Sequence, residues 1–299
     1  MRVLQINSVC GVGSTGKICQ DLYWEFKRRG YECKIAWGRR KGGNVPDEDT
    51  IQIGKPIDYY WHALSTRIFD NTGFCSKRAT EKFIEEVKIY NPDVIHLHNI
   101  HGYYINISVL FNYLRQCEKK IIWTLHDCWS FTGHCTYMDF IGCNKWKSQC
   151  FNCPQKKDYP KSDLFDRSRL NYNGKKELFT GISNLHIVTP SHWLAGLLKE
   201  SFLKNYPVSV IHNGIDTNIF KPTPSDIRSK YNLEGRKIVL SVANQWNQRK
   251  GYNDLLKLSN ELDDNYILVV IGVTEKQKKR INSLNNVIGI TRTENQRQL

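Results

Sequence analysis

The residues best suited to chemistry follow a short buried strand near the middle of the chain. Residues 120–125 are rich in β-branched and aromatic side chains, which predicts a strand, and His126 and Asp127 come directly after it. Open α/β sheets bind ligands at the carboxyl ends of their strands, and a histidine there can donate, accept or hold a proton near neutral pH. A satisfied core histidine is the ordinary alternative. The adjoining aspartate and the polar segment that follows favour an active-site role.

More histidines follow the preceding predicted strand, residues 93–97. His96, His98 and His101 are close together in the sequence, and Tyr103 lies just beyond them. Histidines at this spacing could bind a metal, but His96 and His98 share a face only if the strand continues, and no acidic residue accompanies them. The preferred interpretation is a polar loop that faces a ligand.

A glycine-rich loop joins the first predicted strand, residues 3–7, to a helix predicted over 17–29. A strand, a glycine loop and a helix in this order offer free backbone amides to a phosphate. The spacing is not that of a nucleoside-triphosphate P-loop, and a tight turn without a ligand is equally compatible with it. The candidate phosphate-binding residues are Gly13, Ser14, Thr15 and Gly16.

Two further segments stand out in the last third of the chain. Asn213 and Gly214 form a predicted turn after one strand, and Arg249 and Lys250 precede the helix predicted over 252–262. Two fixed cations at the entrance of a helix suit a diphosphate. Two solvated surface charges are the alternative.

Cysteines are concentrated in one segment, because five of the ten fall within residues 128–153. The last two are separated by two residues, which is typical of one half of a tetrahedral zinc site. Two further thiolates complete four ligands, and Cys128 or His134 could replace one of them. Free thiols packed in a loop are the alternative. The candidate ligands of a structural, non-catalytic zinc are Cys135, Cys143, Cys150 and Cys153.

Strands and helices alternate along the chain, which predicts parallel sheets covered on both faces. A linker predicted over 204–207 divides the chain into two α/β domains, residues 1–204 and 205–299, and the first contains a cysteine-rich insertion at 128–154. The longest apolar run, 266–273, is far too short to cross a bilayer, and the first strand follows no signal-peptide pattern. We therefore expect a cytoplasmic protein.

The net charge of +14 at pH 7 bears on the partners of the chain. Such an excess suits nucleic acid, an anionic membrane surface or anionic small molecules. The charge is spread along the chain without any nucleic-acid-binding motif, so no nucleic-acid partner is expected. Aromatic and basic residues mix in the first half, which favours peripheral association with anionic lipid at the inner face of the membrane.

Together these segments resemble the GT-B glycosyltransferases, and within them the retaining enzymes of glycosyltransferase family 4. The resemblance is strongest to the bacterial enzymes of capsule, colanic acid and O-antigen (lipopolysaccharide) assembly. It extends along nearly the whole chain. The residues that carry it lie at 11–16, 98–104, 124–129, the cysteine-rich segment to Pro154, 188–191, 210–216 and 249–251.

The resemblance implies two Rossmann-like domains that face each other across a cleft, the first for an acceptor and the second for a nucleotide sugar. The implied activity is that of a retaining hexosyltransferase, which moves a sugar from a nucleotide-diphosphate sugar to a lipid-linked or oligosaccharide acceptor in surface polysaccharide biosynthesis. Arg249 and Lys250 would bind the diphosphate and stabilise the leaving group, so no catalytic metal is expected.

The resemblance also implies roles for the other candidates. His126, with Asp127 beside it, would lie near the reacting carbon of the donor sugar. The acceptor side would include His98, His101 and Tyr103. The donor side would include Gly13, Ser14, Thr15, Gly16, Asn213 and Gly214.

The sequence departs from the family pattern in two places. The strand before Arg249 usually ends in a glycine-arginine pair, but here it ends in Ala243 and Asn244. The family also carries two glutamates that bind the donor sugar and the ribose, and no residue after Ile290 supplies them, where residues 293–299 predict the first turn of a helix. These departures predict a C-terminally truncated form with an incomplete second domain. They leave open a non-catalytic remnant that only binds an acceptor or a membrane.

Overall fold

The computed structural model describes residues 1–291 and residue 293. The helical turn predicted over 293–299 therefore lies, apart from Thr293, outside the described residues. The chain divides into two compact units, Met1–Asn213 and Gly214–Leu299. Each unit is built on a parallel sheet with helices, as the alternating sequence pattern predicts.

The first unit contains a seven-stranded sheet in which all neighbouring strands are parallel. Its strand order is β3-β2-β1-β4-β5-β6-β7. The sheet is buried on both faces, so its central strands are almost continuously apolar. The strands are β1 (Arg2–Cys10), β2 (Glu32–Lys41), β3 (Thr50–Gln52), β4 (Val94–Leu97), β5 (Lys120–Thr124), β6 (Leu185–Thr189) and β7 (Val208–Val210).

The helices of the first unit pack their apolar sides on this sheet. In α4 the buried residues Ile107, Leu110, Phe111 and Leu114 recur at helical spacing, and the Asn106 side chain caps the helix by accepting the Val109 N–H. The helices are α1 (Gly13–Arg28), α2 (Pro56–Phe69), α3 (Lys77–Tyr90), α4 (Ile107–Gln116), α5 (Ser168–Phe179) and α6 (His192–Glu200).

The second unit contains a three-stranded parallel sheet with the order β10-β9-β8. The apolar residues of β9 lie at its centre and are buried. The elements of this unit are α7 (Ile227–Lys230), β8 (Lys237–Val242), α8 (Tyr252–Glu261), β9 (Tyr266–Ile271), α9 (Glu275–Ile281) and β10 (Val287–Ile290).

Two local predictions differ from the structure. Residues 205–213 were assigned to the second domain, but β7 pairs with β6, with Val208 opposite Ile187, and so belongs to the first unit. A strand pattern does not tell which sheet the strand joins. The first helix begins at Gly13 rather than Lys17, so the predicted phosphate loop forms its first turn.

A long irregular segment between β5 and α5 contains the cysteines and is anchored by buried charged groups. His134 Nδ1 lies 2.5 Å from Asp70 Oδ1, and both side chains are almost fully buried. Asp70 Oδ2 also accepts the Arg167 N–H at 2.9 Å. From α5, the Lys175 ammonium donates to the carbonyls of Trp129 and Thr132 at 2.8 and 3.0 Å. These contacts fix an otherwise irregular segment on the sheet.

The Asp70–His134 pair predicts a pH-dependent contribution to stability. Burial favours the neutral ring of His134, but the hydrogen bond and the charge of Asp70 outweigh it and raise the pKa of His134. Removing one partner of a buried pair costs about 3–5 kcal/mol. We expect Asp70→Asn to lower the free energy of unfolding by this amount below pH ~6.5, and by less as the pH rises through the raised pKa, because His134 then loses its charge. Urea unfolding at several pH values measures this.

The control for this prediction is Asp21→Asn, which removes the exposed pair with Lys17 on α1. Exposed pairs contribute about 0–1 kcal/mol. A loss for Asp70→Asn no larger than for this control would contradict the role given to the buried pair.

Candidate active site

The candidate site lies where the strand order of the first sheet reverses, between β1 and β4. In doubly wound sheets the crevice at this reversal is where ligands bind. Asn7, fully buried on β1, links the loops that follow these two strands. Its side chain donates to Thr15 Oγ1 at 3.3 Å and accepts the Asn99 N–H at 3.2 Å. The sequence did not single out Asn7, because a polar residue within an apolar strand shows no partner until the strands are paired.

Three histidines form a stacked cluster at the ends of β4 and β5. His98 Nδ1 lies 3.1 Å from His126 Nε2, with the rings nearly parallel at 11°. His96 Nε2 lies 2.8 Å from Thr124 Oγ1. The predicted acceptor-side His98 is thus a buried partner of His126, and its Nε2 has no hydrogen-bond partner.

Burial sets the charge of this cluster. It lowers the pKa of both His96 and His126 to about 4, although the nearby Asp127 opposes the shift of His126. Burial also lowers the pKa of His98 well below its usual value. All three rings are therefore neutral at pH 7, and His126 can donate or accept a hydrogen bond but carries no charge.

Asp127 follows His126 in sequence, but its hydrogen-bond partners are His101 and Trp129. Its Oδ2 lies 2.9 Å from His101 Nε2, and its Oδ1 accepts the Trp129 N–H at 2.9 Å. Burial opposes ionisation, but the charge and hydrogen bond of His101 and the Trp129 amide outweigh it and lower the pKa of Asp127. Asp127 is therefore a buried carboxylate that orients His101.

Tyrosine rings enclose the other side of His101. Its Nδ1 lies 3.3 Å from the hydroxyl of Tyr159, whose ring packs 6.0 Å from that of Tyr103. Tyr103 has a positive φ of 72°, which is costly for a bulky residue and common at functional sites. His101 and Tyr103, both predicted on the acceptor side, thus lie together. Tyr159 was missed, because nothing in its local sequence distinguishes it.

The glycine-rich turn at the start of α1 has both a packing role and free amides. A Cβ on Gly11 would lie 2.1 Å from the Gly42 carbonyl oxygen, so this glycine is required by a close backbone approach. Gly13 and Ser14 are exposed, and no side chain caps this end of the helix. The first-turn amides are therefore available to an anion.

The predicted donor-binding residues of the second unit lie on its surface. Arg249 and Lys250 are exposed in a short 3₁₀ turn, Gln248–Lys250, directly before α8. Asn247 fixes this turn by accepting the Lys250 N–H at 3.0 Å. Asn213 ends the first unit and Gly214 begins the second, and both are exposed.

The four candidate zinc ligands are free thiols, and Cys135 and Cys150 are buried. Over residues 1–291 and 293, no group of three or more His, Cys, Asp or Glu side chains is placed to hold a metal ion. The structure therefore gives no support to zinc at Cys135, Cys143, Cys150 and Cys153. In the described part of the chain, no helix is long and apolar enough to cross a membrane.

A family model gives the family of this chain. The model for Glycosyltransferase Family 4 matches residues 15–219, more than half of the chain. The chain belongs to glycosyltransferase family 4. A curated relative, the putative colanic acid biosynthesis glycosyl transferase WcaC of Escherichia coli K12, is 28% identical over 231 aligned residues, and the match covers 72% of this chain and 55% of WcaC. The chain thus spans about half the length of this relative.

Solved structures confirm the predicted α/β, GT-B fold. Sucrose-phosphate synthase from Thermosynechococcus elongatus has a TM-score of 0.63 at 16% identity. The match covers 100% of this chain and 72% of the synthase. HepE of Anabaena in complex with UDP gives 0.55 at 12% identity, with 100% of this chain and 71% of HepE covered. WaaG, a glycosyltransferase involved in lipopolysaccharide biosynthesis, has a TM-score of 0.53 at 12% identity. The match covers 98% of this chain and 70% of WaaG. At these identities the likeness concerns the fold alone.

The neutral histidine cluster predicts a loss of stability in acid. A histidine whose folded pKa is lowered binds its proton more readily in the unfolded chain, so stability falls as the pH drops from about 6.5 towards the folded pKa. We expect a loss of about 1.4 kcal/mol per pH unit for each of the three histidines over this window. NMR titration, with His126→Gln to assign the resonance, should show a neutral His126 ring at pH 5.5. Titration of that ring near pH 6.5 would contradict the prediction.

Proposed function

We propose that the protein transfers a sugar, with retention of configuration, from a nucleotide-diphosphate sugar to a lipid-linked or oligosaccharide acceptor in surface polysaccharide biosynthesis. Membership of glycosyltransferase family 4 supports the reaction class. The relative WcaC is named for colanic acid biosynthesis, and HepE has been solved with UDP and with UDP-glucose. The likeness to HepE favours a nucleotide sugar as the co-substrate, and the likeness to WcaC favours a glycan as the acceptor.

The observation that carries this proposal is the presence of a neutral ring, His126, and an ionised carboxylate, Asp127, side by side after β5. His126 is neutral and partly exposed, which suits a hydrogen bond to a hydroxyl of the donor sugar near the reacting carbon. Asp127 is ionised and holds His101. In this proposal the Asp127–His101 pair orients the acceptor saccharide beside Tyr103 and Tyr159. Positioning of this kind contributes much of the rate of a transfer between two bound substrates.

The second unit would bind the diphosphate of the donor. Departure of a nucleoside diphosphate leaves negative charge on its phosphate oxygens, and fixed cations stabilise that charge as it develops. Arg249 and Lys250 supply two such cations on one short turn. In this proposal they provide the positive charge that a divalent metal would otherwise bring.

A membrane-facing surface for the lipid of the acceptor is the second part of the proposal. One side of α2 exposes apolar residues at helical spacing, and Phe165 stacks on Phe69 with ring centroids 5.7 Å apart. We call this surface the α2 face. It consists of Ile57, Tyr60, Trp61, Leu64, Phe69, Leu164 and Phe165, which are between 46% and 65% exposed.

The composition of the α2 face suits an anionic bilayer. Contiguous exposed apolar patches mark interaction sites, and tryptophan and tyrosine are enriched where protein meets the headgroup region. Lysines surround the segment that completes the face, because Lys156 donates to the Leu164 carbonyl at 2.9 Å and Lys157 to the Asp163 carbonyl at 3.3 Å. Such cations attract acidic lipid. Peripheral association at the cytoplasmic side of the membrane is thus proposed.

The donor site is tested by removing its cations. We expect Arg249→Gln combined with Lys250→Gln to weaken UDP and UDP-glucose binding by at least about tenfold, because charge-assisted hydrogen bonds to the diphosphate are lost. Isothermal titration calorimetry measures the affinity. The matched control is Lys276→Gln with Lys279→Gln, two exposed lysines of α9. Equal affinities in the two double variants would contradict the proposal. Acceptor binding without any sugar transfer would instead favour the non-catalytic alternative.

The α2 face is tested with vesicles of phosphatidylcholine and phosphatidylglycerol. We expect Trp61→Ser combined with Leu64→Ser to reduce co-sedimentation of the protein at least about tenfold, since each large apolar side chain contributes about 1.5–3 kcal/mol on full burial. Ile89→Ser with Trp193→Ser is the control, because both side chains are exposed on other helices. Binding that survives the first change, or falls equally with the second, would contradict the assignment.

A further inference from the structure

Arg39 is a cation that lies beside the candidate acceptor site. It lies near the end of β2, and its guanidinium carbon is 5.6 Å from the ring centroid of Tyr59 on α2. In the described part of the chain, no carboxylate lies within 4.0 Å of it, and its buried Nε has no hydrogen-bond partner. A buried, unsatisfied donor on a guanidinium is costly unless a ligand completes it.

The backbone around Arg39 leaves room for its guanidinium. Gly102 has a φ of +106°, and a Cβ at this position would lie 3.2 Å from Arg39 Nη1. The guanidinium therefore packs against the bare backbone of the loop that carries His101. Its contact with the face of the Tyr59 ring, a cation–π interaction, fixes the plane of the fork before any ligand arrives.

Tyrosines connect Arg39 to the His101–Asp127 pair. The Tyr59 ring lies 6.0 Å from that of Tyr103, which lies 6.0 Å from that of Tyr159. Burial raises the pKa of Tyr103 to about 12, although the charges of Arg39 and Arg67 oppose the shift. Its phenol is therefore protonated and can donate. Asp127 is already bonded to His101 and Trp129, so its two oxygens are engaged away from Arg39.

We propose that Arg39, assisted by the Tyr103 hydroxyl, binds a phosphate of the acceptor, so that the acceptor is recognised as the phosphate or diphosphate ester of a lipid-linked saccharide. This inference rests on the proposed transferase function and adds the group that is recognised. A guanidinium matches two phosphate oxygens with parallel hydrogen bonds. Because the cation is held in place beforehand, little side-chain entropy is lost on binding.

The position of Arg39 agrees with such an acceptor. Tyr59, on which the guanidinium lies, is followed by Tyr60 of the α2 face, with ring centroids 5.3 Å apart. On the other side, the tyrosines lead to His101. A molecule with a lipid, a phosphate and a sugar in this order would contact the α2 face, Arg39 and the His101–Asp127 pair in the same order.

The test compares two neighbouring arginines with soluble probes. Geranyl diphosphate, geraniol and inorganic pyrophosphate are titrated by calorimetry into the full chain that carries Arg249→Gln and Lys250→Gln, so that the donor-side cations do not contribute. We expect Arg39→Gln to weaken geranyl diphosphate binding at least about tenfold, and Arg39→Lys to recover it only in part, since a lysine lacks the fork. Geraniol should bind poorly to every variant.

Arg40→Gln is the matched control, because Arg40 is the next residue of the same strand and is exposed. Unchanged binding in Arg39→Gln, or equal weakening in Arg40→Gln, would overturn the proposal. Inorganic pyrophosphate that binds as tightly as geranyl diphosphate would overturn the assignment to a lipid-linked acceptor in favour of a free phosphate. If Arg39→Gln fails to fold, Arg39→Lys alone decides between these outcomes.

UDP binding to the chain with Arg249 and Lys250 intact tests the transferase proposal separately. Absence of UDP binding, together with geranyl diphosphate binding that depends on Arg39, would count against the transferase and leave the phosphate site in place. Normal UDP binding, together with geranyl diphosphate binding that does not depend on Arg39, would count against the phosphate site and leave the transferase proposal in place.

Discussion

The carboxylate of Asp127 joins the segments from which the candidate site is made. One oxygen holds His101 in the loop after β4, and the other holds the amide of Trp129 at the start of the cysteine-rich segment. Trp129 in turn lies under the Lys175 ammonium, 3.4 Å from its ring centroid, which ties the segment to α5. A buried carboxylate is stable only when its oxygens are satisfied. The conformations of both loops are therefore constrained by the need to solvate this one charge.

The histidines of the site have two kinds of surroundings: some contact other buried rings, and one contacts the Asp127 carboxylate. His98 and His126 contact each other and buried neighbours, so charging either one would place a cation in an apolar site beside another ring. His101 instead faces a carboxylate. The site thus combines neutral rings, which can hydrogen-bond to a sugar without attracting ions, with a fixed negative charge a few residues away. The neutrality of His98 and His126 follows from burial, since both are ordinary histidines.

The sequence predicted the strand ends well and the partners of their side chains poorly. Hydrophobic runs located β4 and β5, and hence the loops with His98 and His126, because burial on both faces leaves a clear local pattern. The pairing of Asp127 with His101 rather than His126 depends on how two strands align, which no local pattern contains. Arg39 was missed for the same reason, since its isolation from carboxylates appears only when β2, α2 and the His101 loop are assembled. The zinc prediction depends on cysteine spacing alone and stays a prediction, because no group of three or more ligand side chains is placed to hold a metal over residues 1–291 and 293.

The proposals for the first unit depend on one another through α2. One side of α2, which includes His62 and Thr66, is buried within the first unit. The opposite side therefore exposes Trp61 and Leu64. Tyr59 lies between these two sides and is the ring on which Arg39 rests. The helix therefore carries the apolar surface and, through Tyr59, contacts both Arg39 of β2 and the ring of Tyr103. An acceptor held by a lipid at one end and a sugar at the other needs such a fixed spacing, because a sugar displaced by even about 1 Å reacts far more slowly. If the acceptor is lipid-linked, the rigidity of α2 would control where its sugar lies, although α2 itself contributes no residue to the histidine cluster.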